Sequence, residues 1–72
     1  MENRIQFVSC RDPFGREIFQ VWNGKDFLIG EIRFNKASKD FHCIVKKQFR
    51  WEFAQRHKSI NEAEKYFINR FN

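Results

Sequence analysis

The sequence predicts a small α+β protein, in which an antiparallel β-meander of three to four strands packs one face against a C-terminal α-helix. Two observations favour this class. Up to residue 53, runs of β-branched and aromatic residues alternate with turn residues. From residue 59 the apolar residues change to helical spacing. We therefore expect the element order ββββα or βββα, and one domain over residues 1–72.

The first two strands are expected to pair as a hairpin. "RIQFVSC" predicts a strand over about residues 4–10, and "IFQVW" lies within a second strand over about residues 17–22. Between them, "RDPFGRE" contains an Asp-Pro pair and a glycine, which are turn residues. The pair Asn23-Gly24 follows at once and predicts a tight type I′ turn into the next strand, because both residues tolerate positive φ.

The third strand is predicted over about residues 27–34, "FLIGEIRF". Side chains alternate between the two faces of a strand. One face would carry Leu28, Gly30, Ile32 and Phe34, and the other Phe27, Ile29, Glu31 and Arg33. Gly30 inside a strand predicts either a bulge or a place where other groups approach the backbone closely.

The segment 41–53, "FHCIVKKQFRWEF", shows the clearest alternation. The odd positions would face the core and hold Phe41, Cys43, Val45, Phe49, Trp51 and Phe53, while the even positions would face water and hold His42, Ile44, Lys46, Gln48, Arg50 and Glu52. Thirteen extended residues would span about 43 Å, whereas a compact domain of this length is about 29 Å across. The segment must therefore bend or break, and we expect this at "KKQ", residues 46–48.

The last element is predicted to be a helix over about residues 60–71. "SINE" matches a capping box, in which Ser59 and Glu62 satisfy each other's backbone groups. The apolar stripe consists of Ile60, Ala63, Phe67 and Phe71. If it covers the odd positions of residues 41–53, Phe67 and Trp51 are both buried and Arg50 points outward. If Trp51 instead lies outside, its ring becomes the better candidate for a binding site.

The positive charge is confined to one part of the chain. The formal net charge is +5, and residues 25–58 carry nine basic and four acidic residues, which accounts for all of it. The remaining segments are balanced. A charge restricted in this way favours a one-sided electrostatic potential.

The sequence does not predict an enzyme. It lacks a supported Ser/His/Asp or Cys/His set, a glycine-rich phosphate loop and metal-ligand spacing. Cys10 and Cys43 lack the spacing of a zinc site or a disulfide framework, which favours two free thiols. His42 and His57 are the only histidines. We expect no catalytic residues, no metal, no cofactor and no small-molecule substrate.

No apolar run has the length of a signal peptide or a membrane helix. The sequence therefore predicts a cytoplasmic protein without a membrane partner. Its oligomeric state, monomer or homodimer, is left open by the sequence.

The leading functional prediction is a non-enzymatic module that binds nucleic acid through a basic and aromatic sheet face. Cations at strand spacing can follow phosphates and release counterions. The predicted contact residues are Arg33, Lys36, Lys46, Gln48, Arg50 and Arg56. Of these, Gln48 and Arg50 have the side-chain types that read base edges.

The alternative is a small adaptor or inhibitor, of the size that phages and plasmids often encode, which docks an acidic protein through the same face. Phe27, Ile29 and Ile44 would anchor that partner, and the cations would raise the association rate. A third possibility is that the first hairpin folds over this face and buries it. Periodicity leaves all three open.

A three-stranded sheet packed on a C-terminal helix, over residues 17–71, resembles the arm-type DNA-binding domains of tyrosine recombinases and the related plant DNA-binding modules. The stretch "KSINEAEKYFINRF" is similar to the beginning of their helix. The resemblance is architectural, and it implies a sheet face that enters the major groove.

Overall fold

A computed structural model describes residues 4–71 as one antiparallel sheet and one helix. The elements are β1 (Ile5–Arg11), β2 (Glu17–Asn23), β3 (Phe27–Asn35), β4 (Asp40–Lys46), β5 (Trp51–His57) and α1 (Ile60–Phe71). Each strand lies beside its sequence neighbours, in the order β1-β2-β3-β4-β5. The α+β class and the meander are confirmed, but the sheet has five strands rather than three or four.

The additional strand arises where the segment 41–53 was predicted to bend. The chain stops at Lys46, turns through residues 47–50 and resumes at Trp51. The Lys47 N–H donates to the Arg50 carbonyl oxygen at 2.7 Å and closes the turn. The predicted bend is therefore a hairpin turn, and it allows the chain to fit within a longest dimension of 37 Å.

This hairpin overturns the expected faces of Trp51 and Phe53. In an antiparallel hairpin, residues that face each other across the strands share one face of the sheet. Trp51 lies opposite Lys46 and Phe53 lies opposite Ile44. Both aromatic side chains therefore share the face of Lys46, and the prediction that they join the core is wrong. Phe49, also predicted in the core, lies in the turn and is 91% exposed.

The turns of the first three strands follow the predicted positions with one difference. Residues 12–16 join β1 to β2, and residues 24–26 join β2 to β3. Gly24 has a φ of +73°, but Asn23 is not among the residues with positive φ. The connection is thus a three-residue loop rather than the predicted type I′ turn, which requires positive φ at both central positions.

The core lies between α1 and one face of the sheet, which we call the covered face. Its buried side chains come from β1 to β4 and from the helix: Ile5, Val21, Ile32, Cys43, Val45, Ala63 and Phe67. The helix begins next to β5 and also contacts β4 and β1. The opposite side, which carries no helix, is called the open face.

Phe67 packs against the one strand position that has no side chain. Its aromatic ring is fully buried, and a Cβ at Gly30 would lie 2.6 and 2.8 Å from two of its ring carbons and 2.5 Å from the Ile44 carbonyl oxygen. Val21 pairs with Gly30 and Trp22 pairs with Leu28, so Ile29 is the extra residue of a bulge. The close approach predicted for Gly30 is confirmed, whereas the bulge lies at its neighbour Ile29.

The helix forms over the predicted residues, 60–71, with one of the two hydrogen bonds of the predicted capping box. The Glu62 N–H donates to Ser59 Oγ at 3.2 Å, which caps the first turn. Ala63 and Phe67 are fully buried, and Ile60 and Phe71 pack against the core cluster. Within residues 4–71, no helix is long and apolar enough to cross a membrane.

We expect Gly30→Ala to destabilise the protein by about 1–3 kcal/mol, because the added methyl group overpacks the space between Phe67 and the β4 backbone. Urea unfolding followed by circular dichroism measures this change. Gly15→Ala is the comparison: its cost comes from the backbone, because φ is +81°, and nothing lies within 4 Å of the added Cβ.

Replacing Phe67 by a smaller side chain should reduce the cost of Gly30→Ala but not the cost of Gly15→Ala. In a Phe67→Leu background, the cost of Gly30→Ala should fall while the cost of Gly15→Ala stays unchanged. Equal costs for Gly30→Ala in both backgrounds would show that Phe67 does not set the requirement for glycine.

Candidate nucleic-acid interface

The register of the strands assigns the residues of the open face to rows that cross the sheet. One row contains Cys10, Ile18, Arg33, His42 and Arg56, and the next contains Val8, Gln20, Glu31, Ile44 and Phe53. Lys46 and Trp51 form a further pair beyond these rows. Cations and apolar groups are therefore interleaved on β4 and β5.

Aromatic side chains on β5 are exposed on this face. Trp51 is 43% exposed and Phe53 is 58% exposed, although both are large apolar residues. Phe49, in the adjoining turn, is more exposed still. The first hairpin does not cover them, because β1 and β2 lie within the sheet at its other side. Exposed rings on a regular element provide flat surfaces on which a base or another ring can stack.

The same hairpin carries an excess of positive charge. Residues 44–56 include four basic residues, Lys46, Lys47, Arg50 and Arg56, and one acidic residue, Glu52. Arg50 forms an ion pair with Glu52 at 2.7 Å. Lys46 and Lys47 are exposed, and neither has an ion-pair partner among residues 4–71. The uncompensated charge is thus next to Trp51.

Two arginines of the open face are partly neutralised by neighbouring carboxylates. Arg33 contacts Glu31 through Nη2 at 2.7 Å and also donates from Nε at 2.8 Å. Arg56 lies 3.8 Å from Asp40. Between them, His42 packs its ring edgewise against Phe53 with a centroid separation of 5.2 Å. This row is cationic, but a phosphate would have to compete with Glu31 and Asp40 for its guanidinium groups.

Asp40 organises one end of the surface. Its side chain is buried and accepts a hydrogen bond from the Ser38 hydroxyl, and His42 Nε2 lies 3.1 Å away. The hydrogen bond from Ser38 is the main cause that lowers the pKa of Asp40 below its usual value; burial opposes this, and the nearby His42 and Arg56 add to it. A carboxylate held in its charged form can keep Arg56 and His42 in place.

Several predicted contact residues lie away from this cluster. Lys36 is in the β3–β4 turn, at the Asp40 end of β4, about 20 Å from Lys46 along the strand. Phe27 is 69% exposed and pairs with Asn23 rather than with the β4 surface. Ile29 packs against the core. Of the proposed protein anchors, Ile44 alone lies beside Phe53.

Gln48 and Arg50 are not on a strand. Both lie in the turn 47–50, where they are exposed. Predicted roles in reading base edges would therefore depend on a loop rather than on the sheet surface.

Trp51 and Phe53 were predicted to face the core, with an exposed Trp51 as the alternative, because one alternation was continued through the break at "KKQ". The length of the segment already required this break. Once a hairpin is placed there, direct pairing of Lys46 with Trp51 puts the ring on the side of the lysine. The length of the segment thus predicted the break, but the face on which Trp51 lies depends on the number of residues in the turn.

The Cys43 thiol lies in the core rather than on the open face. Both cysteines are free, and the Cys43 Sγ lies 3.8 Å from the Ala63 carbonyl oxygen inside the core. Burial raises the pKa of the Cys43 thiol to about 11. Within residues 4–71, no group of three or more His, Cys, Asp and Glu side chains is placed to hold a metal ion.

No model of a known protein family, no curated protein and no solved structure matches this chain. The resemblance to the arm-type DNA-binding domains is also incomplete. Residues 17–71 contain four strands, β2 to β5, where that resemblance implies three.

We expect Trp51 to be accessible to aqueous quenchers. In a Trp22→Phe variant, which leaves Trp51 as the only fluorophore of its type, the emission should be red-shifted and iodide should quench it. Caesium should quench less, because the neighbouring Lys46 attracts anions and repels cations.

The matched variant is Trp51→Phe, which retains the half-buried Trp22, whose indole N–H donates to Gln20 at 3.2 Å. Its emission should be quenched less by iodide. A blue-shifted Trp51 that resists both ions would place the ring in the core and would contradict the register of the β4–β5 hairpin.

The lowered pKa of Asp40 predicts a loss of stability in acid. A carboxyl group whose folded pKa is depressed stabilises the fold above its unfolded pKa, near the ordinary value of 3.8, and loses that contribution as the pH falls through the folded pKa. The free energy of unfolding should therefore decrease below about pH 4, and Asp40→Asn should make this decrease smaller.

Asp26→Asn is the control, because Asp26 is exposed and has no ion-pair partner among residues 4–71. Urea unfolding of each variant between pH 7 and pH 2.5 supplies the comparison. Parallel curves for Asp40→Asn and the unchanged protein would exclude a stabilising carboxylate at this position.

Proposed function

We propose that this chain is a non-enzymatic module that binds nucleic acid through the β4–β5 part of the open face. The observation that carries the proposal is the exposure of the Trp51 and Phe53 rings beside cations without ion-pair partners. The contact residues are Lys46, Lys47, Trp51 and Phe53, with Arg50 and Arg56 in supporting positions. Phosphate contacts supply most of the attraction, and the rings hold the bases.

The two kinds of contact contribute differently. Each phosphate neutralised by a lysine or arginine releases counterions, so binding weakens as salt rises. Stacking of a base on an aromatic side chain is worth about 1–3 kcal/mol and depends little on sequence. Arg33 and Arg56 are expected to contribute less than Lys46, because Glu31 and Asp40 already occupy their donors.

A second candidate is an acidic protein partner. Ile44, Trp51 and Phe53 form an apolar patch with cations at its rim, which is also a surface that protein interfaces use. Such a partner would dock on the face rather than extend the sheet. The outer strand β5 shifts its register opposite Cys43 and Ile44 of β4, and an irregular edge discourages strand addition. A second copy of this chain is less favoured, since it would bring like charges together.

Equilibrium binding to labelled random-sequence nucleic acid, single-stranded and duplex, tests the proposal. We expect binding at about 50 mM salt and a large loss of affinity at about 200 mM salt. Lys46→Glu with Lys47→Glu should abolish it while the circular dichroism spectrum stays unchanged, because exposed substitutions usually change stability by under about 0.5 kcal/mol.

The control is Lys36→Glu with Lys65→Glu, which changes the net charge equally but away from the β4–β5 hairpin. This variant should retain most of the affinity. Equal losses in the two double variants would show that net charge rather than this surface governs binding, and no binding at about 50 mM salt would exclude nucleic acid as the ligand.

A further inference from the structure

We infer that the ligand of this surface is single-stranded nucleic acid, held along the β4–β5 side of the sheet with bases stacked on Trp51 and Phe53. The inference rests on the proposed function and specifies its ligand. It also departs from the architectural resemblance, which implied a sheet laid into the major groove of a duplex.

The width of the sheet argues against a groove. Five strands are separated by four spacings of about 4.8 Å, so the open face is about 19 Å wide between its outer strands. The major groove of B-form DNA is about 12 Å wide and admits a helix or a two-stranded ribbon. The five-stranded face cannot enter it flat.

The distribution of charge argues for one strand of phosphates rather than two. On the β1 and β2 half of the open face, the outward positions are uncharged: Gln6, Val8, Cys10, Ile18, Gln20 and Trp22. In the middle, the Arg33 charge is paired with Glu31 at 2.7 Å. Lys46 and Lys47, which have no ion-pair partner among residues 4–71, lie at the β4–β5 end. A second phosphate row of a duplex across this face would meet uncharged surface.

The rings themselves require bases that are not paired within a helix. Trp51 and Phe53 are two residues apart on β5, so their Cα atoms are about 7 Å apart and both rings are exposed on one face. The bases inside a duplex are stacked on one another, whereas unpaired bases can lie on aromatic side chains. Phe49, the most exposed aromatic side chain of the described residues, is placed in the adjoining turn to take a further base.

The footprint should be short. β5 has seven residues and is thus about 23 Å long, and comparable sheet platforms stack two or three bases. We expect affinity to rise steeply with oligonucleotide length up to about four nucleotides. Beyond that length it should rise only as the number of overlapping binding positions increases.

The test measures binding of the full chain to twelve-nucleotide oligothymidine, to oligouridine and to a duplex of equal length, at one salt concentration. Both single strands should bind at least about tenfold more tightly than the duplex. Their ratio distinguishes DNA from RNA as the source of the ligand. Trp51→Ala and Phe53→Ala should each weaken single-strand binding by about 5- to 150-fold.

Phe27→Ala is the matched control, because Phe27 is 69% exposed but pairs with β2 rather than with the β4–β5 hairpin. It should leave the affinity unchanged. Urea unfolding of each alanine variant separates lost contacts from lost structure.

The outcomes separate the inference from the proposed function. Duplex binding as tight as single-strand binding, weakened by Lys46→Glu with Lys47→Glu and by the two ring variants, would overturn the inference and leave the proposed function standing. Silent Trp51→Ala and Phe53→Ala variants would overturn both, because both give the rings a role in holding bases. Failure of all three ligands to bind at about 50 mM salt would overturn both.

Discussion

The contact between the Phe67 ring and the backbone of Gly30 determines how the helix and the sheet are arranged. A side chain at position 30 would meet the ring carbons at 2.6 and 2.8 Å, so the fully buried ring fits only where the strand has none. The adjacent bulge at Ile29 shifts the register of β3 against β2. With Phe67 fixed there, Val21, Ile32, Cys43 and Val45 become the core, and the opposite side of every strand is left without a helix.

The exposed rings of the β4–β5 hairpin are aromatic residues that the core leaves out. Ten phenylalanines and two tryptophans are present, but one short helix covers one face of the sheet and buries few of them completely. Trp51 and Phe53 are placed on the other face by the β4–β5 hairpin, and the lysines of "KKQ" are brought beside them. A turn that the chain needs in order to stay compact thereby joins the most aromatic stretch to the most basic one, and this combination suits an unpaired polyanion with flat bases.

Local signals in the sequence were sufficient for most elements and insufficient for the site. The capping serine, the stripe that includes Ala63 and Phe67, and the turn residues around Gly15 each act over a few residues, so they predicted α1 and the first hairpin. The close approach at Gly30 was predicted as well, because a glycine inside a strand is itself a local signal. Trp51 could not be assigned because its face depends on the length of the turn before it, and the ion pairs of Arg33 with Glu31 and of Arg56 with Asp40 depend on strand register.

Proton nuclear magnetic resonance can determine the orientation of the β4–β5 hairpin relative to the core, on which the position of the exposed rings depends. The Gly30 Hα that points toward the Phe67 ring should be shifted upfield by the ring current, and Trp51 ring protons should show nuclear Overhauser effects to the Lys46 side chain and none to Phe67. An unshifted Gly30 Hα together with nuclear Overhauser effects between the Trp51 and Phe67 rings would place Trp51 in the core and contradict the account.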